Sequence, residues 1–592
     1  MDKGAAMHDV RSRRSRTAAA SSFALALAML TPSLAAFAQT PSPATMDDAI
    51  AAISAAAPAA MAYQGTPGLS LAITDRTHTV RVLTFGYAEV ASKAPVTPAT
   101  RFAIGSITKS MTALALLELH DAGRIDLNAP VTRYLPWFRI DAHGKRILVH
   151  QLLSHTAGLP DDFSDANDPL YDIGALAATE TLFAPGTAWS YSNDGFATLG
   201  AIIASVDRRP WADALQARVF DQLGMTDASP VMTPATLSTA AVGYEMLDYD
   251  RPEALHPALT PVQPFAFVDA AGSVLATPED MAAYMRFYLN GGKRSDGTAL
   301  LAPATFAAMT HADRYLNGAA AGAPEPVLAE APAFYRQYGY GLSVFDADGD
   351  HLVGHTGGVT GYTSCMQINL TRGFGVIALA NHVEAPLHPC AIMLYAMAVL
   401  RAVAAGTPLP PPWHAPDIAH VESAATYAGT YRAPDGAVLR VVATADHLAL
   451  VDGAKTIALY PRGGTFFADD PAYALYLIHF MRDKHKTVIG LNYGARWFAN
   501  ERDPAPRATP AYPAAWNALA ARYESVSAQG GGTTRVVIVR GRLTLDGTTA
   551  LAPRSDGTFA LGPSIVRFEA RVAGQPQRLS IDDTHYYRVE LP

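Results

Sequence analysis

Apolar residues recur at helical spacing just after Ser106, and they predict a buried helix. Ile107, Met111 and Leu114 stand at positions i, i+4 and i+7, which line one face of a helix. The second half of the segment is apolar on its other faces as well, so we expect protein on most sides of this helix. Ser106 and Lys109, at its start, would share a face because they are three residues apart.

Further apolar patterns predict a mixed region of helices and strands up to residue 405. The predicted helices cover 47–63, 196–205, 277–289 and 389–404, and the predicted strands cover 69–74, 80–85, 340–345, 351–354, 362–370 and 374–380. A Thr-Pro-Glu-Asp sequence at 277–280 provides a helix cap. The mixture predicts a domain of the α+β class.

A proline-rich linker over 406–419 ends this region, and the pattern of apolar and turn-forming residues changes after it. Short apolar runs separated by turns predict two small all-β modules, at 420–505 and 510–592. Segments 448–453 and 461–466 recur as 543–547 and 553–559, at an offset of about 95 residues, with Tyr427 and Tyr523 leading the two copies. The second module is therefore interpreted as a possible repeat of the first.

The first 38 residues have the pattern of a signal peptide. A basic stretch at 11–16 precedes an uncharged run over 17–39 that is rich in alanine and leucine. Ala36-Phe37-Ala38 provides a cleavage site, and Pro32 interrupts the run, which argues against the alternative of a membrane anchor. We expect cleavage near Ala38, a periplasmic or secreted protein, and no stable membrane span after cleavage.

Composition and charge narrow the classes of partner. A chain of 592 residues suggests roughly three to four domains, and 49% hydrophobic and 17% charged residues are typical of a globular protein. A net charge of −8 and the lack of a basic, aromatic-rich patch argue against nucleic acid as a partner. The two cysteines, Cys365 and Cys390, could pair after export or remain thiols. No cluster of cysteine, histidine or acidic residues has metal-ligand spacing, so the sequence predicts no metal site.

Three short motifs follow one another in the mixed region. They are Ser106-Ile107-Thr108-Lys109, Tyr191-Ser192-Asn193 and His355-Thr356-Gly357-Gly358, accompanied by the stretches 151–160 and 272–281. Alone, Ser-x-x-Lys is a weak signal, because the serine could simply cap a helix. Taken together, the motifs over 45–405 resemble the serine β-lactamase and penicillin-binding-protein family, whose pattern is Ser-x-x-Lys, Tyr-x-Asn and Lys/His-Thr-Gly. The closest resemblance is to its class C-like branch of class C β-lactamases, D-aminopeptidases, DD-carboxypeptidases and family VIII esterases.

The resemblance implies a β-lactamase-like fold and a role for each matched residue. The fold would be an antiparallel sheet flanked by helices, with a helical subdomain. Ser106 would attack a carbonyl to form an acyl-enzyme, and either a neutral Lys109 or a Tyr191 phenolate held by charged Lys109 would act as the base. The backbone N–H groups of Ser106 and Gly358 would form the oxyanion hole, and the scheme requires no metal and no organic cofactor. Substrate and oxyanion contacts would come from Asn193, His355, Thr356, Gly357 and Gly358.

His355 departs from the lysine that β-lactamases and DD-peptidases usually carry at this position. A lysine's permanent charge suits a substrate carboxylate, whereas histidine is mostly neutral at pH 7. We therefore expect an exported serine hydrolase that acts on an ester, or on a small or D-configured peptide or amide. The alternatives are a DD-carboxypeptidase, a weak β-lactamase, or a catalytically inactive binding protein with the same fold. The expected partner is a small-molecule or peptide substrate, and the sequence leaves the oligomeric state open.

Overall fold

The computed structural model describes most of the chain after the predicted signal peptide. The described residues are 43–160, 169–247, 258–263, 265–311, 337–382, 389–462, 464–473, 476–503, 511–525, 533–562, 564–581 and 584–589. The predicted signal peptide, 1–38, lies outside them. Within these ranges no helix combines the length and the apolar character that a membrane crossing requires.

A seven-stranded antiparallel sheet forms the centre of the region before the linker, with the strand order β3-β2-β1-β11-β10-β9-β8. Strands β1, β10 and β11 are buried along nearly their whole length, which explains why their sequences are almost continuously apolar. Two short pairs, β4–β7 and β5–β6, lie outside this sheet. The strands are β1 (Gly68–Asp75), β2 (Thr79–Glu89), β3 (Ala94–Pro95), β4 (Phe102–Ala103), β5 (Tyr244–Met246), β6 (Leu259–Pro261), β7 (Leu275–Ala276), β8 (Ser343–Ala347), β9 (Asp350–Val359), β10 (Tyr362–Asn369) and β11 (Phe374–Ala380).

Helices cover both faces of the sheet. The helices are α1 (Met46–Gln64), α2 (Thr108–Asp121), α3 (Val149–Leu153), α4 (Pro169–Ala175), α5 (Asn193–Asp207), α6 (Trp211–Leu215), α7 (Asp221–Leu223), α8 (Pro234–Leu237), α9 (Pro278–Leu289), α10 (Pro303–Thr310) and α11 (Cys390–Ala405). On one face, Leu71 of β1 shares an apolar cluster with Ile53 of α1 and Ile392 of α11. On the other face, Ala72 lies in the same cluster as Met285 of α9. This arrangement confirms the predicted β-lactamase-like α+β fold.

The helix predicted after Ser106 is α2, and it is buried on nearly every side. Met111, Leu114 and Leu117 have no exposed surface, and α2 packs against α5 and α6. The cap predicted at the start of α9 is also present, since Thr277 and Asp280 form a capping box. Local sequence signals therefore fix these two helices well.

A disulfide joins Cys365 of β10 to Cys390 at the start of α11. The sequence left open whether these cysteines pair. Both are buried in the cluster that lies between the sheet and α1 and α11. The bond therefore links a central strand to the helix that covers it.

The two C-terminal regions are all β, as predicted, but they differ in form. The first is a closed antiparallel barrel of β12 (Gly429–Arg432), β13 (Val438–Thr444), β14 (His447–Asp452), β15 (Lys455–Arg462), β16 (Thr465–Ala468), β17 (Ile478–Arg482), β18 (Val488–Tyr493) and β19 (Arg496–Asn500). The second is a nine-stranded sheet of β20 (Ala521–Glu524), β21 (Thr533–Val539), β22 (Arg542–Leu545), β23 (Thr549–Ala550), β24 (Ala552–Pro553), β25 (Phe559–Leu561), β26 (Ser564–Val572), β27 (Gln575–Ile581) and β28 (Thr584–Val589).

The two β modules share one local feature, a buried tyrosine near the start of each. Tyr431 and Tyr523 are both fully buried in the first strand of their module. Each donates its hydroxyl hydrogen to a carbonyl four residues earlier, that of Tyr427 in the barrel and that of Leu519 in the second sheet. The repeated tyrosine thus marks how each module begins.

Candidate active site

Ser106 lies in a 3₁₀ turn, Gly105–Ile107, that leads directly into α2. Gly105 has a φ of +49°, a conformation that glycine adopts at little cost. A Cβ atom at this position would also lie 2.7 Å from the backbone nitrogen of Gly358. The turn therefore holds the backbone of Gly105, next to Ser106, close against strand β9.

Lys109 connects the first two motifs. Its side chain has no exposed surface, and its Nζ atom donates to Ser106 Oγ at 3.1 Å, to Asn193 Oδ1 at 2.6 Å and to the Ala271 carbonyl at 2.9 Å. The Tyr191 ring centroid lies 4.8 Å from Nζ. Three acceptors match the three N–H donors of an ammonium group, and they offset the cost of burying the charge.

Asn193 is the first residue of α5, so the helix predicted at 196–205 begins earlier than expected. Ser192 caps it by accepting a hydrogen bond from the Gly195 N–H at 3.1 Å. Tyr191 stands just before the cap, and both it and Asn193 face Lys109. The second motif therefore spans the start of a helix.

The third motif lies within β9, which continues beyond the predicted strand 351–354. Gly357 pairs with Ser364 of β10, and a Cβ on Gly357 would lie only 1.9 Å from the carbonyl oxygen of Ile104. The Ser364 hydroxyl donates to that same carbonyl at 2.8 Å. Glycine at position 357 is thus required for β9 to approach the turn that carries Ser106, whereas the space beside the Gly358 Cα atom is open.

His355 is buried and neutral. Its Nδ1 atom lies 2.5 Å from the Thr356 carbonyl and so carries the hydrogen, which leaves Nε2 to accept from the Tyr338 hydroxyl at 2.8 Å. Burial lowers the pKa of the His355 imidazole to about 3, and the nearby Lys109 charge acts in the same direction. The expectation that this position carries no charge at pH 7 is consistent with this environment.

His155 was not predicted to act at the site, yet it supports Tyr191. Its ring centroid lies 4.4 Å from that of Tyr191, and its Nδ1 accepts from the Ser192 N–H at 3.1 Å. The His155 carbonyl accepts from the Ser190 N–H at 3.0 Å, so His155 contacts the chain on both sides of Tyr191. Burial holds the pKa of His155 well below its usual value. The sequence signal was present in the stretch 151–160, but spacing alone does not bring it to Tyr191.

The loop 269–273 completes the surroundings of Lys109. The Asp269 carboxylate accepts from the Ala271 N–H at 2.7 Å. This hydrogen bond fixes the loop so that the Ala271 carbonyl oxygen accepts from Lys109. Burial raises the pKa of the Asp269 carboxyl group, while the Lys109 charge opposes that rise. The second accompanying stretch, 272–281, therefore begins inside the site.

Among the described residues, one group of side chains is close enough to share a metal ion, and it is not in this site. It consists of Asp417, His420 and Asp446. Asp446 is far from the other two in sequence, and the turn between β13 and β14 brings it next to the start of the barrel, where the Val421 N–H donates to the Asp446 carbonyl.

Comparison with known proteins agrees with the fold and the motifs. A family model described as Beta-lactamase matches residues 53–394, more than half of the chain. Protein flp of Staphylococcus aureus strain N315 is 26% identical over 324 residues, 53% of this chain and 59% of that protein, so less than two thirds of that relative is covered. Penicillin-binding protein 4 of Amycolatopsis lactamdurans is 30% identical over 293 residues, 48% of this chain and 72% of that protein. The octameric penicillin-binding protein homologue from Pyrococcus abyssi has a similar fold, with a TM-score of 0.54 and 24% identity over 76% of this chain and 99% of its own.

Proposed function

Because the chain belongs to the beta-lactamase family, we propose that it is a serine hydrolase in which Ser106 forms an acyl-enzyme. The observation that carries this proposal is the buried Lys109 side chain, which donates to both Ser106 Oγ and Asn193 Oδ1. A free serine hydroxyl is a weak nucleophile, and a partner for its proton must stand next to it. Residues 45–405 would contain this hydrolase region.

Tyr191 is the proposed base, and Lys109 the charged group that favours its phenolate. Lys109 Nζ donates to three acceptors, which suits the ammonium form better than the neutral amine. Lys109 Nζ lies 4.8 Å from the centroid of the Tyr191 ring, and a positive charge this close would favour the phenolate over the neutral phenol. The proton of Ser106 would pass to Tyr191 during attack and then to the leaving group.

The oxyanion hole would be formed by the backbone N–H groups of Ser106 and Gly358. The contact between Gly105 and β9 supports this, because it brings the Gly358 nitrogen next to the turn that carries Ser106. Donors fixed in this way stabilise the tetrahedral intermediate without reorganising during the reaction. Asn193 and Thr356 would bind the substrate's carbonyl and amide or ester groups.

The neutral His355 supports a substrate without a carboxylate beside the scissile bond. A buried imidazole that donates to Thr356 and accepts from Tyr338 offers no positive charge to a β-lactam or D-Ala-D-Ala carboxylate. We therefore favour an ester, or a small or D-configured amide or peptide, as the substrate. A DD-carboxypeptidase and a weak β-lactamase remain the alternatives within the same mechanism.

Turnover by the full-length chain and its Ser106→Ala variant tests this proposal. The substrates are p-nitrophenyl acetate and butyrate, D-alanine p-nitroanilide, a D-Ala-D-Ala peptide and nitrocefin. We expect hydrolysis of an ester or of the anilide, a loss on the order of 10³-fold or more in Ser106→Ala, and no loss in the control Ser92→Ala, whose side chain is exposed. A chain that turns over none of these and forms no adduct with an active-site phosphonate would instead be a binding protein.

We also propose that residues 1–38 direct export and are removed near Ala38. The disulfide between Cys365 and Cys390 supports an oxidising destination, since such bonds persist outside the cytoplasm. The intact mass of the protein recovered from a periplasmic or culture fraction tests it. A mass that includes residues 1–38 would contradict the proposal.

A further inference from the structure

Two carboxylates and two imidazoles meet where the chain enters the barrel. Asp417 lies near the end of the linker and His420 directly follows the linker, whereas Asp446 lies in the turn between β13 and β14 and His447 is the first residue of β14. These four residues are called the Asp-His cluster below. One ligand atom from each of Asp417, His420 and Asp446 lies within 4.8 Å of the others.

The side chains of the Asp-His cluster already face one another. His420 Nδ1 lies 2.8 Å from Asp446 Oδ2. His447 contacts both carboxylates, with Nε2 at 3.0 Å from Asp417 Oδ2 and Nδ1 at 3.2 Å from Asp446 Oδ1. His447 therefore holds the two carboxylates in place while His420 faces the second oxygen of Asp446.

We propose that Asp417, His420 and Asp446 bind a divalent transition-metal ion of the zinc type, with His447 orienting the two carboxylates. An imidazole and two carboxylates are suitable ligands for Zn²⁺, whereas an imidazole is a poor ligand for Ca²⁺ or Mg²⁺. Ligand bonds of about 2.0–2.2 Å place two ligand atoms at most about 4.4 Å apart, so side chains whose ligand atoms lie within 4.8 Å of one another reach a shared ion with a small rotation. Carboxylate ligands are commonly hydrogen-bonded by a second residue. His447 would have this role for Asp417 and Asp446.

The site would fasten the end of the linker to the barrel. The Val421 N–H already donates to the Asp446 carbonyl at 2.7 Å, so a single backbone hydrogen bond joins the two segments at this point. A metal ion held from both segments would add to this hydrogen bond and to the ion pairs between them, and its ligand side chains are about half exposed and open to metal in solution. Zinc would then limit the movement of the segment that leads from the hydrolase region into the barrel.

Calorimetric titration with zinc chloride tests the proposal on the full-length chain, with its purification tag removed and after treatment with a chelator. We expect one equivalent of zinc per chain. His420→Ala should weaken binding at least tenfold because a ligand is lost, and His447→Ala should weaken it about tenfold because the carboxylates lose their orientation. The control His485→Ala removes an exposed barrel histidine outside the cluster and should bind as the parent does.

Two further measurements guard against a variant that fails to fold. Circular dichroism identifies such a variant. The Asp417→Asn variant, which keeps the shape of the side chain, is then used instead, and it should also weaken zinc binding at least tenfold. Cobalt(II) added to the parent should give visible d–d absorption that Asp417→Asn lacks. Absence of stoichiometric zinc binding, or equal affinity in the parent and in folded His420→Ala, would show that the cluster is only a set of surface ion pairs.

Discussion

Lys109 is the residue on which the chemistry of the proposed site depends, because Ser106, Asn193 and Ala271 all meet at its Nζ atom. Replacing Asn193 by alanine leaves the buried ammonium without one acceptor, and a hydrogen bond to a charged group contributes about 1.5–3 kcal/mol. We expect kcat/KM to fall about 10- to 100-fold. The control Asn128→Ala changes an exposed side chain and should retain activity. Equal kcat/KM in the two variants would contradict the position given to Asn193.

His355 makes a pH-dependent contribution to stability. Its pKa is about 3 in the folded chain and near 6.5 when exposed, so between these values the unfolded chain binds a proton that the folded chain does not. Stability is therefore retained above pH 6.5 and falls as the pH drops below it, by up to about 1.4 kcal/mol per pH unit for one such residue.

Urea unfolding at pH 7.0, 6.0 and 5.0 measures this effect. The loss of stability over this range should be smaller in His355→Gln, because one group that resists protonation is gone. His485→Gln, an exposed change, should lose stability as the parent does. Buried His155 also has a strongly lowered pKa, so part of the slope should remain in His355→Gln.

The sequence identifies site residues whose partners are near them in the chain, and it misses residues whose partners are distant in the chain. Ser106 and Lys109 stand three apart on one helix face, so a local pattern suffices to identify them. Tyr338 and His155 act only through contacts to His355 and Tyr191, which lie far from them along the chain. Tyr338 has no local signature, and the stretch 151–160 that contains His155 does not indicate which residue His155 contacts.

Strand β9 must lie close to the turn at Ser106, and the two glycines of the third motif respond differently to substitution. Gly357→Ala would place a methyl group 1.9 Å from a backbone oxygen, so β9 or the turn must shift and the Gly358 N–H would move away from Ser106. We expect lower thermal stability and a fall in kcat on the order of 10²-fold, the effect of losing one oxyanion donor. Gly358→Ala has free space for its methyl group and should keep the parent's melting temperature. Equal melting temperatures for both variants would contradict this packing.

The disulfide stabilises the connection between β10 and α11. It closes a loop with a sequence separation of 25, for which the chain-entropy relation gives about 3.5 kcal/mol. The double variant Cys365→Ala/Cys390→Ala should lose activity at a lower urea concentration than the oxidised parent. Adding a reductant to the parent should have a similar effect, and it should not alter the double variant. A parent whose urea midpoint is the same with and without reductant would contradict this contribution.

At the scale of the whole molecule, the sequence predicts the order of the helices and strands. It does not predict whether the strands after the linker close into a barrel. The sequence identifies short strands after the linker, because apolar runs between turns are a local feature. Whether eight strands close into a barrel or nine remain an open sheet depends on pairings such as Tyr431 with Asn500, which join the two ends of the module. The Asp-His cluster was missed for the same reason, since the β13–β14 hairpin brings Asp446 back to Asp417.

The apolar cores predict how the chain unfolds. The clusters around the seven-stranded sheet contain residues up to Trp413, the barrel core contains Val421 to Phe498, and the second β sheet has its own core. Trp497 of the barrel and Val537 of the second sheet share a small cluster, so these two modules should unfold together. We therefore expect two transitions in scanning calorimetry, one for the hydrolase region and one for both β modules.

Two variants assign these transitions. Val537→Ala should lower only the melting temperature of the β modules, because it removes apolar contact between them. Met285→Ala should lower only that of the hydrolase region, where Met285 packs against the central sheet. Activity lost with heating should follow the transition that Met285→Ala shifts, since the proposed catalytic residues belong to that region. A single transition that both variants shift equally would mean that the cores are coupled through contacts outside these clusters.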